Sequence, residues 1–380
     1  MAAGPYFLED EPALAARLDA FLTGLGKRLG ESAAAADVVA LVLSGGYGRG
    51  EGGVFRGPSG VAELYNDLEF YLLLRDGNGS ETARAWCERE ERDGTAELGI
   101  DVEFKRLPIG ALRTASPSMF YYDLLLGHRL VWGETNWCDA LPTELRAADK
   151  IPWHEATRLL FNRGSGLFYS RCALATGDER VANGFVERNH AKARLALGDA
   201  VLVANGQYHH FARERNARVH GELARTPPGW AELVPWHDEG LAFKLQPRHL
   251  AAGTAALAAA QTELAAAWLR TFLWLEGLRL GRTFLSAADY AETGLRLFPA
   301  TPRWRNVALR LRDWRSRGGA LPRWTDYPRG ALQRALVLAV DPAAEPTAAA
   351  LARWLGGAAA PDDRWTALEP AYTRWWSCYN

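Results

Sequence analysis

Between Leu41 and Tyr71 the chain reads LVLSGGYGRGEGGVFRGPSGVAELYNDLEFY. An apolar run ends in Gly45-Gly46, followed by Tyr47, Gly48, Arg49, Gly50 and Glu51, and a second apolar run opens with Asp67 and Glu69 two residues apart. Strand residues at i and i+2 share a face, so these two carboxylates converge. Ile100–Leu107 (IDVEFKRL) alternates the same way and carries Asp101 and Glu103 on one face. Converging carboxylate oxygens suit a hard divalent cation, Mg²⁺ or Mn²⁺. Without one, four crowded carboxylates would repel and raise one another's pKa values. Gly45, Gly46, Gly48 and Gly50 leave the backbone free to approach phosphate oxygens, with Arg49 as counter-charge. The chemistry these residues suit is transfer at a phosphate, assisted by metal.

The elements around them must place the turn and the acids side by side. Residues 11–30 have apolar positions at helical spacing. Val38–Leu43 is a β-branched run feeding the Gly-Gly turn, Asp67–Leu74 a strand, Gly77–Ser80 a turn, Glu81–Gly94 an amphipathic helix, and Ile100–Leu107 a strand closed by Pro108. This alternation predicts an α/β domain with a small mixed sheet over residues 1–140. After about residue 135 strand-like alternation stops, and Ala, Leu and Arg dominate. Helical windows follow at 153–176, 184–206, 250–281, 286–297, 303–317, 328–340 and 345–356. Residues 141–380 are therefore expected to form an all-α helical-bundle domain, divided into two subbundles by a break at Leu223–Pro247.

The order of glycines, Asp-Leu-Glu diad and later carboxylate resembles the nucleotidyltransferase superfamily to which DNA polymerase beta belongs. The string GGYGRGE is most similar to the opening of uridylyltransferase domains that act on PII signalling proteins, and similar strings open many small bacterial nucleotidyltransferases. The likeness covers roughly residues 37–110. Two departures stand out. Twenty residues separate Gly46 from Asp67, more than the family usually has, so Val54–Tyr65 reads as an inserted loop. The diad is Asp-Leu-Glu where Asp-apolar-Asp is commoner. The resemblance implies a nucleotidyltransferase core that binds NTP with Mg²⁺ and moves a nucleoside monophosphate to a hydroxyl acceptor, releasing pyrophosphate. Asp67 and Glu69 would hold metal with Asp101 or Glu103 as the third ligand. Asp101 sits better relative to Pro108 in the family's layout, and the residues alone leave the choice open. Glu51 matches a commonly acidic position whose role can be structural.

Helical domains behind such cores, including those resembling kanamycin nucleotidyltransferase, often face the active site. In Glu187–Ala200, helical spacing aligns Asn189, Lys192, Ala196 and Asp199. Lys192 would then bind the triphosphate, and Asp199 would act as base or orient Lys192; the plainer reading is a solvated polar stripe. Asn162-Arg163-Gly164 is a weaker candidate, better read as a helix cap or buried salt bridge. Arg215 and His220 form R-x4-H, which resembles the RNase motif of HEPN domains, but chance explains it better in an arginine-rich chain. His209-His210 lacks a nearby third ligand and reads as a surface pair.

Net charge is −1, yet Pro302–Val337 holds nine arginines against Asp313 and Asp326, a local +7 that leaves −8 elsewhere. With Trp304, Trp314 and Trp324 interleaved, Arg303–Arg334 is a candidate nucleic-acid contact. The resemblance leaves the acceptor open as a small molecule, a tRNA or a protein, the last two as in toxin–antitoxin transferases, and implies that a degenerate member would bind NTP without turnover. Composition, with 48% apolar and 23% charged residues, is that of a globular chain. MAAGPYFLEDEP does not read as a signal peptide, and no apolar stretch approaches the roughly 20 residues a bilayer span needs. Four scattered cysteines form no CxxC pair, which suits a reducing cytoplasm, and the lack of a long apolar stretch predicts no membrane.

Overall fold

The computed structural model describes residues 6–77, 79–248, 253–317, 323–343, 353–355 and 364–379. The chain divides into two units. The first comprises residues 1–155, 205–223 and 241–248, and the second residues 156–204, 224–240 and 249–380.

In the first unit, helix α1 (Pro12–Gly30) starts with proline at its first turn and buries Leu14, Leu18, Phe21, Leu22, Leu25 and Leu29 along one stripe. It leads to β1 (Val38–Leu43) and the one-turn helix α2 (Gly45–Gly48). The expected loop is a β-hairpin of its own, β2 (Val54–Arg56) paired with β3 (Ala62–Leu64). Then come β4 (Leu68–Leu74), α3 (Glu81–Leu98) and β5 (Val102–Pro108). Helix α3 is capped by Ser80 Oγ accepting from the Ala83 amide at 3.2 Å and ended by Gly99 at φ 74°. Helices α4 (Ile109–Arg113) and α5 (Met119–Leu126) and strand β6 (Arg129–Gly133) complete the run.

The four-stranded sheet has the order β5-β4-β1-β6. Strands β4 and β5 are parallel, whereas β1 is antiparallel to both β4 and β6. It is a mixed sheet with helices on both faces. On one face Leu68, Phe70, Leu72, Val102 and Phe104 pack with α1 and α3 through Phe21, Leu25 and Trp86. On the other, Val39, Val42, Tyr71 and Leu73 pack with Ile109, Leu112, Leu124 and Leu125 of α4 and α5.

From Trp153 the chain is helical: α6 (Trp153–Thr176), α7 (Phe185–Ala204), α8 (Ala212–Val219), α9 (Trp230–Leu245), α10 (Thr254–Leu280), α11 (Ala287–Glu292), α12 (Arg303–Arg317), α13 (Pro328–Val340) and α14 (Arg364–Tyr379). Leu223–Pro247 is not a break in structure, because α9 fills most of it, with Pro235 inside the helix. The window at 345–356 lies outside the described residues apart from 353–355, which are helical. Among the described residues no helix is long and apolar enough to cross a membrane.

The second unit is held by polar groups buried with their partners. Glu276, fully buried, accepts from Thr157 Oγ1 at 2.7 Å, Tyr290 Oη at 2.6 Å, Gln333 Nε2 at 3.2 Å and both Nε and Nη2 of Arg279 at 2.6 Å. So many donors make its burial tolerable. His190 of α7 lies buried with Nε2 at 2.7 Å from Gln261 Oε1, and burial pulls its pKa down to about 4. A histidine depressed in the folded state binds its proton more readily when unfolded. Its stabilisation is therefore complete above about pH 6.5 and drains away as pH falls towards 4. Urea unfolding at pH 7 and pH 4.5 should show the native protein losing on the order of 2 kcal/mol more over that interval than a His190→Gln variant; equal losses would refute a neutral buried His190.

Candidate metal centre and glycine turn

Alternation along β4 and β5 separates apolar from charged side chains. Leu68, Phe70 and Leu72 enter the core with Val102 and Phe104, while Asp67, Glu69, Glu103 and Lys105 belong to the opposite set. Parallel pairing sets Glu69 directly opposite Glu103, and Tyr71 opposite Lys105. Asp67, Glu69 and Glu103 each offer an oxygen within 4.8 Å of the others. These are the only His, Cys, Asp or Glu residues so grouped among the described residues. Asp101 precedes β5; its carbonyl accepts the Leu68 amide at 2.9 Å, and its carboxylate is outside the group. Of the two candidates for a third ligand, the structure brings in Glu103.

Lys105 already serves this cluster as a cation. Its Nζ lies 3.3 Å from Glu69 Oε1 and 3.1 Å from Glu103 Oε2, and 5.8 Å from the centre of the Tyr71 ring. Burial works against the ammonium, but Glu69, Tyr71 and Glu103 outweigh it and raise the Lys105 pKa. Tyr71 responds in the same sense, its phenol pushed up to about 12 first by burial and then by Glu69. The cluster thus offers hard oxygen donors, two exposed and one half-buried, of the kind a Mg²⁺ or Mn²⁺ ion takes as ligands.

The glycine turn lies against the diad. The Ser44 amide donates to the Glu69 carbonyl at 2.8 Å, joining the end of β1 to β4. Gly45 adopts φ +67°, and a Cβ there would stand 3.4 Å from Glu69 Oε2. At Gly48 a Cβ would come within 2.3 Å of the Leu43 carbonyl oxygen, so only glycine fits that approach. Gly45 and Gly46 open α2, in the turn where helix geometry leaves amides without intrahelical acceptors.

Tyr47 is the residue that sequence reasoning missed. Fully buried, it donates to the Gly53 carbonyl at 3.0 Å and accepts from the Tyr65 and Asn66 amides at 2.9 and 3.2 Å. Burial pushes its phenol up to about 12, opposed by those amides and helped by Asp67. One hydroxyl therefore closes both stems of the β2–β3 hairpin and fixes the approach to Asp67. The only signal in the sequence was an aromatic residue among glycines.

Two neighbouring charges are structural. Glu51 is buried and caps α8, accepting from the Ala212 and Arg213 amides at 2.7 and 3.1 Å, while its carbonyl accepts from Lys244 Nζ at 3.1 Å. Arg49 turns inward, its Nη1 3.7 Å from Asp123 Oδ2 and its stem against Gly127.

Elsewhere in the first unit, buried Arg215 donates to the carbonyls of His209 and His210 at 2.8 and 3.2 Å, which accounts for half of the R-x4-H pattern. The two histidine rings stack on each other, 4.3 Å between centres. In the second unit the helical stripe divides. Lys192 is exposed, whereas Ala196 and Asp199 are buried, with Asp199 Oδ1 3.3 Å from His237 Nε2. Burial lowers the Arg163 pKa, and the charge of Asp199 works against that shift. The arginine window is partly internal too. Arg310 and Arg334 are buried, and Arg334 donates to the carbonyls of Tyr290, Ala291, Thr293 and Leu295. Arg303, Trp304 and Arg305 are exposed; Trp314 and its neighbours up to Arg317 belong to α12, and their side chains lie outside the described set.

Removing the Tyr47 hydroxyl would strand two backbone amides. Tyr47→Phe is expected to lower stability by about 2 kcal/mol, read as a lower melting temperature; an unchanged melt would show that the hydroxyl is not the tie. No family model matches this chain, and no curated protein and no solved structure matches it either.

Proposed function

We propose that this protein is a nucleotidyltransferase of the DNA polymerase beta-like superfamily. It would use Mg²⁺ or Mn²⁺ to move a nucleoside monophosphate from an NTP to a hydroxyl acceptor, with release of pyrophosphate. One observation carries the reading: Asp67 just before β4, Glu69 on β4 and Glu103 on its partner β5 gather within 4.8 Å, with Gly45 of the turn against Glu69.

Asp67, Glu69 and Glu103 would hold the metal. Once bound, a divalent ion there supplies charge neutralisation for a triphosphate and eases loss of the acceptor's proton. The Gly45–Gly48 turn would lay its backbone along the triphosphate, its own conformation held tight by the close approach of Gly48 to the Leu43 carbonyl. Its distance from the acids is set by the Ser44–Glu69 backbone bond and its floor by Tyr47. Arg49 and Glu51 support that turn from within. Asp199 and Lys192 belong to the second unit, and the reading stands without them.

The test is incubation with each α-labelled NTP and Mg²⁺ in cell extract, following label into small molecules, RNA or protein. The Asp67→Ala, Glu69→Ala double variant and the Glu103→Gln variant should each lose at least about a hundredfold in transfer, while Asp101→Asn keeps most of it. Undiminished transfer by the double variant would remove the metal assignment. NTP binding with no pyrophosphate release would make the protein a nucleotide-binding module instead.

A further inference from the structure

We propose that Lys105 is a tethered counter-cation that takes the place of the divalent ion when no metal is bound, so that the site favours metal arriving with a nucleotide over bare metal. The inference rests on the metal reading above and adds a residue to it. Lys105 Nζ makes hydrogen-bond-length contacts with one oxygen of Glu69 and one of Glu103, two of the three proposed ligands. A metal ion drawing on those same two oxygens would meet the ammonium there, so the two cations compete for them.

The identity of the incoming species then matters. A bare divalent ion displaces Lys105 and leaves two like charges side by side. A metal–triphosphate complex is net negative, so the displaced ammonium finds new anionic partners on the phosphates within reach of its flexible stem. The side chains of Lys105, Glu69 and Glu103 are 46%, 32% and 50% exposed, so the two ion pairs are weak and the exchange is a matter of a few-fold. The competing explanation is that β5 is an edge strand, where a lysine discourages pairing with another sheet. That role would leave metal affinity untouched.

The experiment is Mn²⁺ binding to the full chain, read by the electron paramagnetic resonance of free Mn²⁺, with and without a non-hydrolysable NTP analogue. Without nucleotide, Lys105→Gln should bind Mn²⁺ about fivefold more tightly than the native protein. With nucleotide the gain should vanish or reverse, and Lys105→Arg should restore competition. Native-like melting of the variants by circular dichroism controls for folding, and Lys105→Met gives the same comparison if Lys105→Gln fails to fold. Equal Mn²⁺ affinity in native and variant proteins, or the same gain with and without nucleotide, overturns the role of Lys105 and leaves the metal reading standing. Failure of every form to bind millimolar Mn²⁺ overturns both.

Discussion

Like charges placed opposite one another on adjacent strands repel, and the pairing of β4 with β5 imposes that arrangement on Glu69 and Glu103. The reverse side of the same strands holds them there. Phe70 and Phe104 are also directly opposite, their rings stacked 4.8 Å apart, and Trp86 meets Phe104 edge-on at 5.3 Å. A one-residue slip would turn those aromatics to solvent and the acids into the core. Burial on one face therefore enforces electrostatic tension on the other, and a cation relieves it. In this structure the relief comes from Lys105.

The surrounding parts restrict how that tension can be used. Ser44 ties the glycine turn to β4, and Glu51 ties the exit of the turn to α8 and Lys244. The carboxylate of Glu51 thus spends its charge on helix amides, while those of Asp67, Glu69 and Glu103 remain partly in water, open to ligands. Arginine in the second unit works as a multidentate donor to stray carbonyls, with Arg334 serving four of them. Burial first, and then the nearby Arg323, brings its pKa down to about 10.

Much of this was legible from periodicity. A β-branched apolar run located β1, and alternation located β4 and β5 to within a residue or two, while windows at 153–176, 303–317 and 328–340 coincide with α6, α12 and α13. In these elements the apolar pattern reports burial, on one face for β5 and on both for β1. What could not be read was whatever depends on register or on distant backbone. Asp101 and Glu103 share a face by spacing, and only the folded geometry separates the one that joins the cluster. Tyr47 acts on amides 18 and 19 residues away. Counting charge between 302 and 337 reveals a surplus but not which guanidinium groups face inward. The likeness to nucleotidyltransferases has the same origin as the legible part, because it lies in glycines and alternating acids close together in sequence.

The hairpin between the turn and the diad alters how spacing should be read. Twenty residues part Gly46 from Asp67, yet Tyr47 reaches Gly53 on one stem and Tyr65 on the other through a single oxygen. The chain between those stems is a closed loop, and lengthening a closed loop costs only a slowly growing entropy. Its tip at Ser59-Gly60 is exposed. Sequence inserted at that tip would leave the separation of glycines and acids unchanged, making the hairpin a natural place to graft a reporter or a binding peptide beside the site. Distance along the chain is a poor ruler here, and the reach of one phenol is a better one.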